Sequence, residues 1–202
     1  MDQKTRKRDK EASKHALLQA GLELFSKHGY DASTTRMVAA EAGLNEQLIT
    51  RYFGGKEGLL LAILSAFLDE EANDSNYPPP AGSVEEEIRQ FLLYRHSRFF
   101  ESRDFFCTFV PRIIIDASIR DRLQAIVIRQ DAVLRDRLLE LQKRHLIRTD
   151  ADLEAVGLMV CAQSFHTSFM ARVSTNLDDT FLTHMILEFA RYMARGLAPL
   201  EA

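Results

Sequence analysis

The sequence has no apolar run long enough to cross a bilayer: stretches such as 59–64 and 113–115 are a few residues each. Residues 1–10 are charged with no apolar segment behind them, which argues against a secretory signal. Cysteine is scarce. Cys107 and Cys161 lie in apolar surroundings without CxxC spacing, so free buried thiols in a reducing cytoplasm are expected rather than a disulfide framework. No glycine-rich phosphate loop is present. The six histidines form no metal-binding constellation: His184 and Glu188 lie one helical turn apart, which makes a surface pair more readily than a site. Cys161 and His166 are five apart and diverge around a helix, which removes them as nucleophile and base. No catalytic set, metal, cofactor or membrane partner is therefore expected. Strand-like alternation, internal repeats and low-complexity tracts are also missing.

What remains is helical periodicity from end to end. Ala16, Leu17, Ala20, Leu24 and Phe25 share one face of a first helix that Gly29 should close. Ser33, Thr34 and Thr35 offer N-cap hydroxyls for a short second helix to about residue 42. Gly43 turns the chain, Asn45 can cap a third helix to about Phe53, and Gly54-Gly55 breaks it. A fourth helix begins near Lys56. The Asn- and Pro-rich segment 73–83 reads as a loop. Ser83 with Glu86 is a capping-box signature for the next helix, which carries Ile88, Phe91, Leu92, Arg95 and Phe99. Arg103-Asp104 should interrupt it, and Pro111 should kink or restart the chain before a long helix over 117–145. Two further helices are expected over 150–173 and 178–197. The expected fold is all-α, with about nine helices.

Charge is uneven along this chain. Residues 1–56 hold ten Lys/Arg against seven Asp/Glu, whereas the rest hold 16 against 22. A basic head on an acidic body suits contact with a polyanion at one end. Residues 4–14 read either as a basic arm or as a solvated tail.

Residues 34–53, TTRMVAAEAGLNEQLITRYF, have the layout of a helix-turn-helix. Val38, Ala39 and Ala42 give the first helix an inward stripe, Gly43 supplies the turn, Leu44 can plug the space between helices, and Ile49 and Phe53 anchor the second helix. Glu46, Gln47, Leu48, Thr50, Arg51 and Tyr52 remain for solvent or DNA. Gln can bond adenine bidentately, Arg favours guanine, and Leu or Thr can pack on a thymine methyl. Glu46 fits a helix-start role better than acceptance from cytosine.

The wider stretch GYDASTTRMVAAEAGLNEQLITRYFGGKEGLLLAIL, residues 29–64, resembles the TetR-type bacterial repressors. The resemblance rests on Gly29-Tyr30, Ser33-Thr34, Ala39, Ala42-Gly43, Tyr52-Phe53 and Lys56-Glu57. It implies a three-helix, homeodomain-like DNA-binding domain over 1–56, including the arm, and a helical ligand-sensing and dimerisation domain over 57–202. It further implies that Thr34 meets a phosphate, Arg36 a base edge or phosphate, Gln47 and Leu48 bases, and Tyr52 and Lys56 phosphates. Thr50 stands where the family commonly has Tyr, so its reach is shorter, and Arg51 is the neighbour able to compensate. With Thr35 and Asn45 these complete the candidate DNA-binding set.

Aromatic residues concentrate in the middle of the chain. Phe91, Tyr94, Phe105 and Phe109, with Arg95, Arg112, Gln163 and His166 as polar fixers, are candidates for a small-molecule pocket. A solid aromatic core is the competing reading. The ligand would be hydrophobic or amphipathic. In the last helix Phe181, Met185, Phe189 and Met193 recur every four residues, and Phe165 and Phe169 continue a second stripe beginning at Leu158 and Ala162. Paired about a two-fold axis, these stripes would make a homodimer. The functional expectation is a cytoplasmic, dimeric repressor that binds a near-palindromic double-stranded operator and is released by its ligand. A ligand-independent DNA binder of the same fold, or an all-α enzyme, would be the alternatives.

Overall fold

The computed structural model describes residues 3–73, 76–127 and 132–200, and every regular element among them is helical. In chain order these are α1 (Gln3–His28), α2 (Thr35–Glu41), α3 (Gln47–Phe53), α4 (Lys56–Asn73), α5 (Val84–Glu101), α6 (Arg103–Ile115), α7 (Ala117–Val127), α8 (Ala132–Lys143), α9 (Leu153–Phe165), a π-helical turn (His166–Met170), α10 (Ala171–Ser174) and α11 (Asp179–Leu197). Of the described residues, those in 1–71 and 104–126 pack as one unit, and those in 72–103 and 127–202 as another.

In the first unit the buried residues Leu17, Ala20, Leu24 and Phe25 of α1 follow the stripe expected from the sequence. Leu59, Leu60, Ile63 and Leu64 of α4 are likewise buried, as are Phe105, Phe106 and Phe109 of α6. The backbone is helical from Gln3 onward, so the segment 3–14 is continuous with the rest of α1. Pro111 sits inside α6 without ending it, and the break falls after Ile115. Cys107, expected to be buried, is exposed, because α6 turns Phe105, Phe106 and Phe109 inward instead. The join between α3 and α4 is tight. A Cβ on Gly58, in the first turn of α4, would overlap the Phe53 carbonyl oxygen, so a side chain does not fit here.

The second unit is built on Ile88, Phe91 and Leu92 of α5, Leu134, Leu138 and Leu141 of α8, Val156 and Val160 of α9, and Ile186 and Ala190 of α11. Ser83 caps α5 by accepting from the Glu86 amide at 3.3 Å. The box is half-formed: Glu86 binds Arg89 and Gln90 instead, while buried Glu87 accepts from the Ala81 amide at 2.6 Å and from Arg137 at 2.8 Å. Asp152 and Asp178 cap α9 and α11. The expected long helix over 117–145 is represented by α7 and α8, and its middle, 128–131, lies outside the described residues. The π turn is the unexpected element. It buries Thr167, Ser168 and Phe169 in succession, an arc too wide for one face of a regular α-helix. Among the described residues no helix is long and apolar enough to cross a membrane.

Candidate nucleic-acid interface

The second helix starts where a hydroxyl meets an amide: Thr34 Oγ1 accepts from the Met37 N–H at 3.2 Å. Val38 and Ala39 are buried, and the chain then reverses at Gly43, whose φ of +65° a side-chain-bearing residue adopts only with strain. The Leu44 amide closes the turn onto the Ala39 carbonyl at 2.9 Å. Asn45 Oδ1 accepts from the Gln47 amide at 2.8 Å and sets the start of α3. The Thr35 hydroxyl donates to Glu46 Oε1 at 2.6 Å, a direct tie between the beginnings of α2 and α3. Thus Thr35 and Asn45, both in the expected DNA-binding set, are engaged in shaping the motif. Glu46 gains a role the sequence reading did not foresee, because its partner lies eleven residues away.

On α3, Ile49 is fully buried and fixes the helix to its unit. Gln47, Thr50 and Arg51 are exposed, while Leu48 and Tyr52 are half-buried. Thr34 and Arg36 on the preceding segment are exposed as well. Tyr52 carries cations on its ring, with Lys10 Nζ 5.9 Å and the Arg51 guanidinium 5.9 Å from the centroid. Lys56 is half-buried, and its ammonium lies 4.2 Å from the centre of the Tyr30 ring and donates to the Asp31 carbonyl at 3.5 Å. Burial holds the Lys56 pKa below the usual lysine value and pushes the Tyr30 phenol up. The exposed polar side of α3 therefore carries Arg51, with Lys10 against the Tyr52 ring at its end. The Lys10 and Lys56 ring contacts join residues far apart in the chain and had no local signal.

The candidate pocket residues are distributed over both units. Phe105 and Phe109 are buried in the first, stacked with ring centres 5.6 Å apart and planes 9° from parallel. Arg112, expected among the pocket's polar groups, pairs with the Asp31 carboxylate and lies 5.0 Å from the Tyr30 ring centre. In the second unit Phe91, Tyr94 and Arg95 are buried. The Arg95 guanidinium lies 5.4 Å from the Phe91 ring centre and 5.2 Å from that of Phe99, and donates to Cys161 Sγ at 3.8 Å. Tyr94 borders a cleft of about 500 Å³ together with Asn76, Arg89 and Ser97. Gln163 donates to the Thr167 hydroxyl at 2.8 Å, and His166 is exposed. Ser164 and Ser168, absent from the expected set, are buried.

The candidate dimer residues also divide. Phe181 is exposed and Met185 half-buried, whereas Phe189 and Met193 pack against the core of their own unit. Phe165 and Phe169 continue a row of rings from Phe99, at centroid separations of 5.6 and 5.4 Å, and Phe169 is buried. Tyr192, Leu158 and Met159 are exposed apolar residues outside the expected set, although Leu158 began its second stripe.

Two short helices locked at a glycine turn, the second showing a polar face edged by cations, define a helix-turn-helix element of the DNA-binding kind. Residues 17–63 match the family model for bacterial regulatory proteins of the tetR family. Among curated proteins the chain is similar to the uncharacterized HTH-type transcriptional regulator YerO of Bacillus subtilis, 23% identical over 195 residues that cover 92% of this chain and 65% of YerO. It is also similar to the HTH-type transcriptional dual regulator CecR of Shigella flexneri, 50% identical over 52 residues, 26% of this chain and 23% of CecR. The chain thus spans just under two thirds of the first relative's length and about a quarter of the second's. In fold it is similar to a TetR-family structure from Rhodococcus sp., with a TM-score of 0.77 at 16% identity over 90% of this chain and 98% of the other. GusR of Salmonella enterica gives a TM-score of 0.72 at 15% identity, covering 92% and 95%. Residues 17–63 are thus similar to the DNA-binding segment of tetR-family regulators, and the chain as a whole shares the fold of solved TetR-family structures.

Proposed function

We propose that the protein is a homodimeric repressor that reads a near-palindromic DNA operator with α3 and leaves it when a small hydrophobic or amphipathic molecule binds. The observation that carries this reading is the exposed face of α3, where Gln47 and Arg51 project beside Thr50 with cations on the flanks. In the major groove Gln47 suits adenine, Arg51 guanine, and Leu48 or Thr50 a thymine methyl. Thr34 uses its oxygen as a helix cap and keeps a hydroxyl proton to donate to a phosphate. Tyr52 and Lys56 are the remaining backbone contacts, and exposed Arg36 reaches a base edge or phosphate.

In this reading residues 1–56 bind DNA and residues 57–202 sense the ligand and dimerise, in the cytoplasm. The buried α5–α9 interface of the second unit, with Phe91, Arg95, Cys161 and Ser164, offers aromatic faces and hydrogen-bonding groups of the kind a small amphipathic ligand uses. Ligand and DNA would favour different spacings of the two heads, so each weakens the other's binding by the same factor.

Affinity for duplex DNA, measured over a range of KCl concentrations, tests the reading. Binding should weaken steeply with salt. Gln47→Ala should lose discrimination at particular base pairs, costing about 1–3 kcal/mol there, while Lys56→Gln weakens binding to all sequences alike. Equal binding by wild type and both variants on every duplex would overturn these assignments.

A further inference from the structure

Tyr30-Asp31, the turn that follows α1, engages two cations from different parts of the first unit. Lys56, at the start of α4, sets its ammonium 4.2 Å from the Tyr30 ring centre and donates to the Asp31 main-chain carbonyl at 3.5 Å. Arg112, on α6 and far outside the family-matched segment, lies 5.0 Å from the same ring centre and pairs with the Asp31 carboxylate. The Asp31 side chain is 80% exposed while that of Arg112 is 22% exposed, so the guanidinium comes from the packed side of the unit to hold a carboxylate facing solvent. Nearby contacts tie α6 to α1 and α7 to α4 within the same unit. The Thr108 hydroxyl donates to the Phe25 carbonyl at 3.0 Å, and Arg122 on α7 donates to Glu57 at 3.0 Å.

We infer that Arg112 is a positioning residue for DNA binding: by occupying the Asp31 carboxylate, it leaves the Lys56 ammonium on the Tyr30 face, aimed at the DNA backbone. The inference rests on the reading of Lys56 as a phosphate contact. Its chemistry is a competition for one anion. An exposed carboxylate on the residue whose carbonyl Lys56 binds is both a rival to phosphate for the ammonium and a source of repulsion toward DNA. A guanidinium satisfies the carboxylate with directed donors. The ring face and the Asp31 carbonyl then hold the flexible lysine stem in place, and an ammonium has three donors, so some remain for phosphate. Ser33, whose hydroxyl donates to the Leu24 and Gly29 carbonyls, anchors the turn's backbone independently of Arg112. Loss of Arg112 therefore redirects a side chain without unmaking the turn.

The test is fluorescence anisotropy with a labelled mixed-sequence duplex about three helical turns long, titrated at several KCl concentrations. Thermal unfolding of each variant accompanies it. Lys56→Gln should lower the slope of log K against log salt by about 1.8, one phosphate contact from each head of the dimer. Arg112→Gln should lower it by the same amount, and the double variant by no more than either alone. Adding Asp31→Ala to Arg112→Gln should return the slope to the wild-type value, since the competing carboxylate is gone. If Arg112→Gln does not fold, Arg112→Met keeps the aliphatic stem and carries the same comparison. A wild-type slope in Arg112→Gln overturns the inference, as do additive losses in the double variant or failure of Asp31→Ala to restore the slope. A wild-type slope and affinity in Lys56→Gln would instead remove the phosphate contact itself, and the inference with it.

Discussion

Asp179, in the first turn of α11, joins three segments of the second unit. Its Oδ1 lies 2.9 Å from His96 Nε2 on α5, and Arg172 on α10 pairs with the same carboxylate. The hydrogen bond from His96, helped by the Arg172 charge, holds the Asp179 carboxyl below its ordinary range. A carboxyl depressed in the folded state adds stability above its unfolded pKa, and that stability disappears as pH falls through the folded value. Asp179→Asn should therefore lower the melting temperature at neutral pH and differ less from wild type near pH 3. The side chain is 66% exposed, so solvent screening limits the effect to about 0.5 kcal/mol. Melting curves at both pH values check this; a gap that stays constant would remove the carboxylate's role. At this scale the exposure of Gln47, Thr50 and Arg51 was legible in the sequence, because burying Ile49 on a one-turn register leaves them outside. The partners of Glu46, Lys56 and Arg112 were not. Those contacts depend on tertiary packing, and Arg112 meets Asp31 from 81 residues away.

Among the elements, helix ends followed their local chemistry closely. Ser83, Thr34 and Asp178 cap as their side chains dictate, and Gly29 and Gly54 close α1 and α3 in the left-handed conformation. The π turn escaped notice because its flanking residues have ordinary right-handed helical angles, and one extra residue in a turn leaves no compositional mark. Pro111 does not restart the chain: an internal proline removes one hydrogen bond but need not end a helix whose preceding turns are anchored by buried Phe105, Phe106 and Phe109. The α3–α4 corner is the sharpest constraint on the motif's shape. Gly58→Ala forces a methyl into the Phe53 carbonyl and should destabilise the protein by about 1–3 kcal/mol, as overpacking does. Gly82→Ala, at a position with open space, should change stability by less than about 0.5 kcal/mol. Denaturant midpoints for the two variants measure the difference, and equal midpoints would show that the corner yields freely.

For the whole molecule, the surface of α9 and α11 sets the expected assembly. Phe181 and Tyr192 on α11, with Leu158 and Met159 on α9, are exposed, and Met185 lies beside Phe181 on the same helical face. The four-residue repeat in the sequence identified the helix but not which side was spare, since Phe189 and Met193 belong partly to the unit's own core. In sedimentation velocity at micromolar concentration the wild type should be a dimer. Met185→Glu and Phe181→Glu should yield folded monomers, whereas Phe189→Glu should lower stability first. A wild type that sediments as a monomer would contradict the assembly.

Sequence-specific recognition by paired heads is the central claim, and selection from a pool of random duplexes tests it most directly. Purified full-length protein, retained DNA and repeated rounds of enrichment are all that is required. The expected outcome is one motif of two inverted half-sites, centred ~34–36 Å apart or at a multiple of that spacing, because two-fold related α3 helices must enter successive major grooves. Gln47→Ala should blur the bases at equivalent positions of both halves. A pool that shows no enrichment, or a single half-site without its inverted mate, would contradict a dimeric repressor that reads DNA through α3.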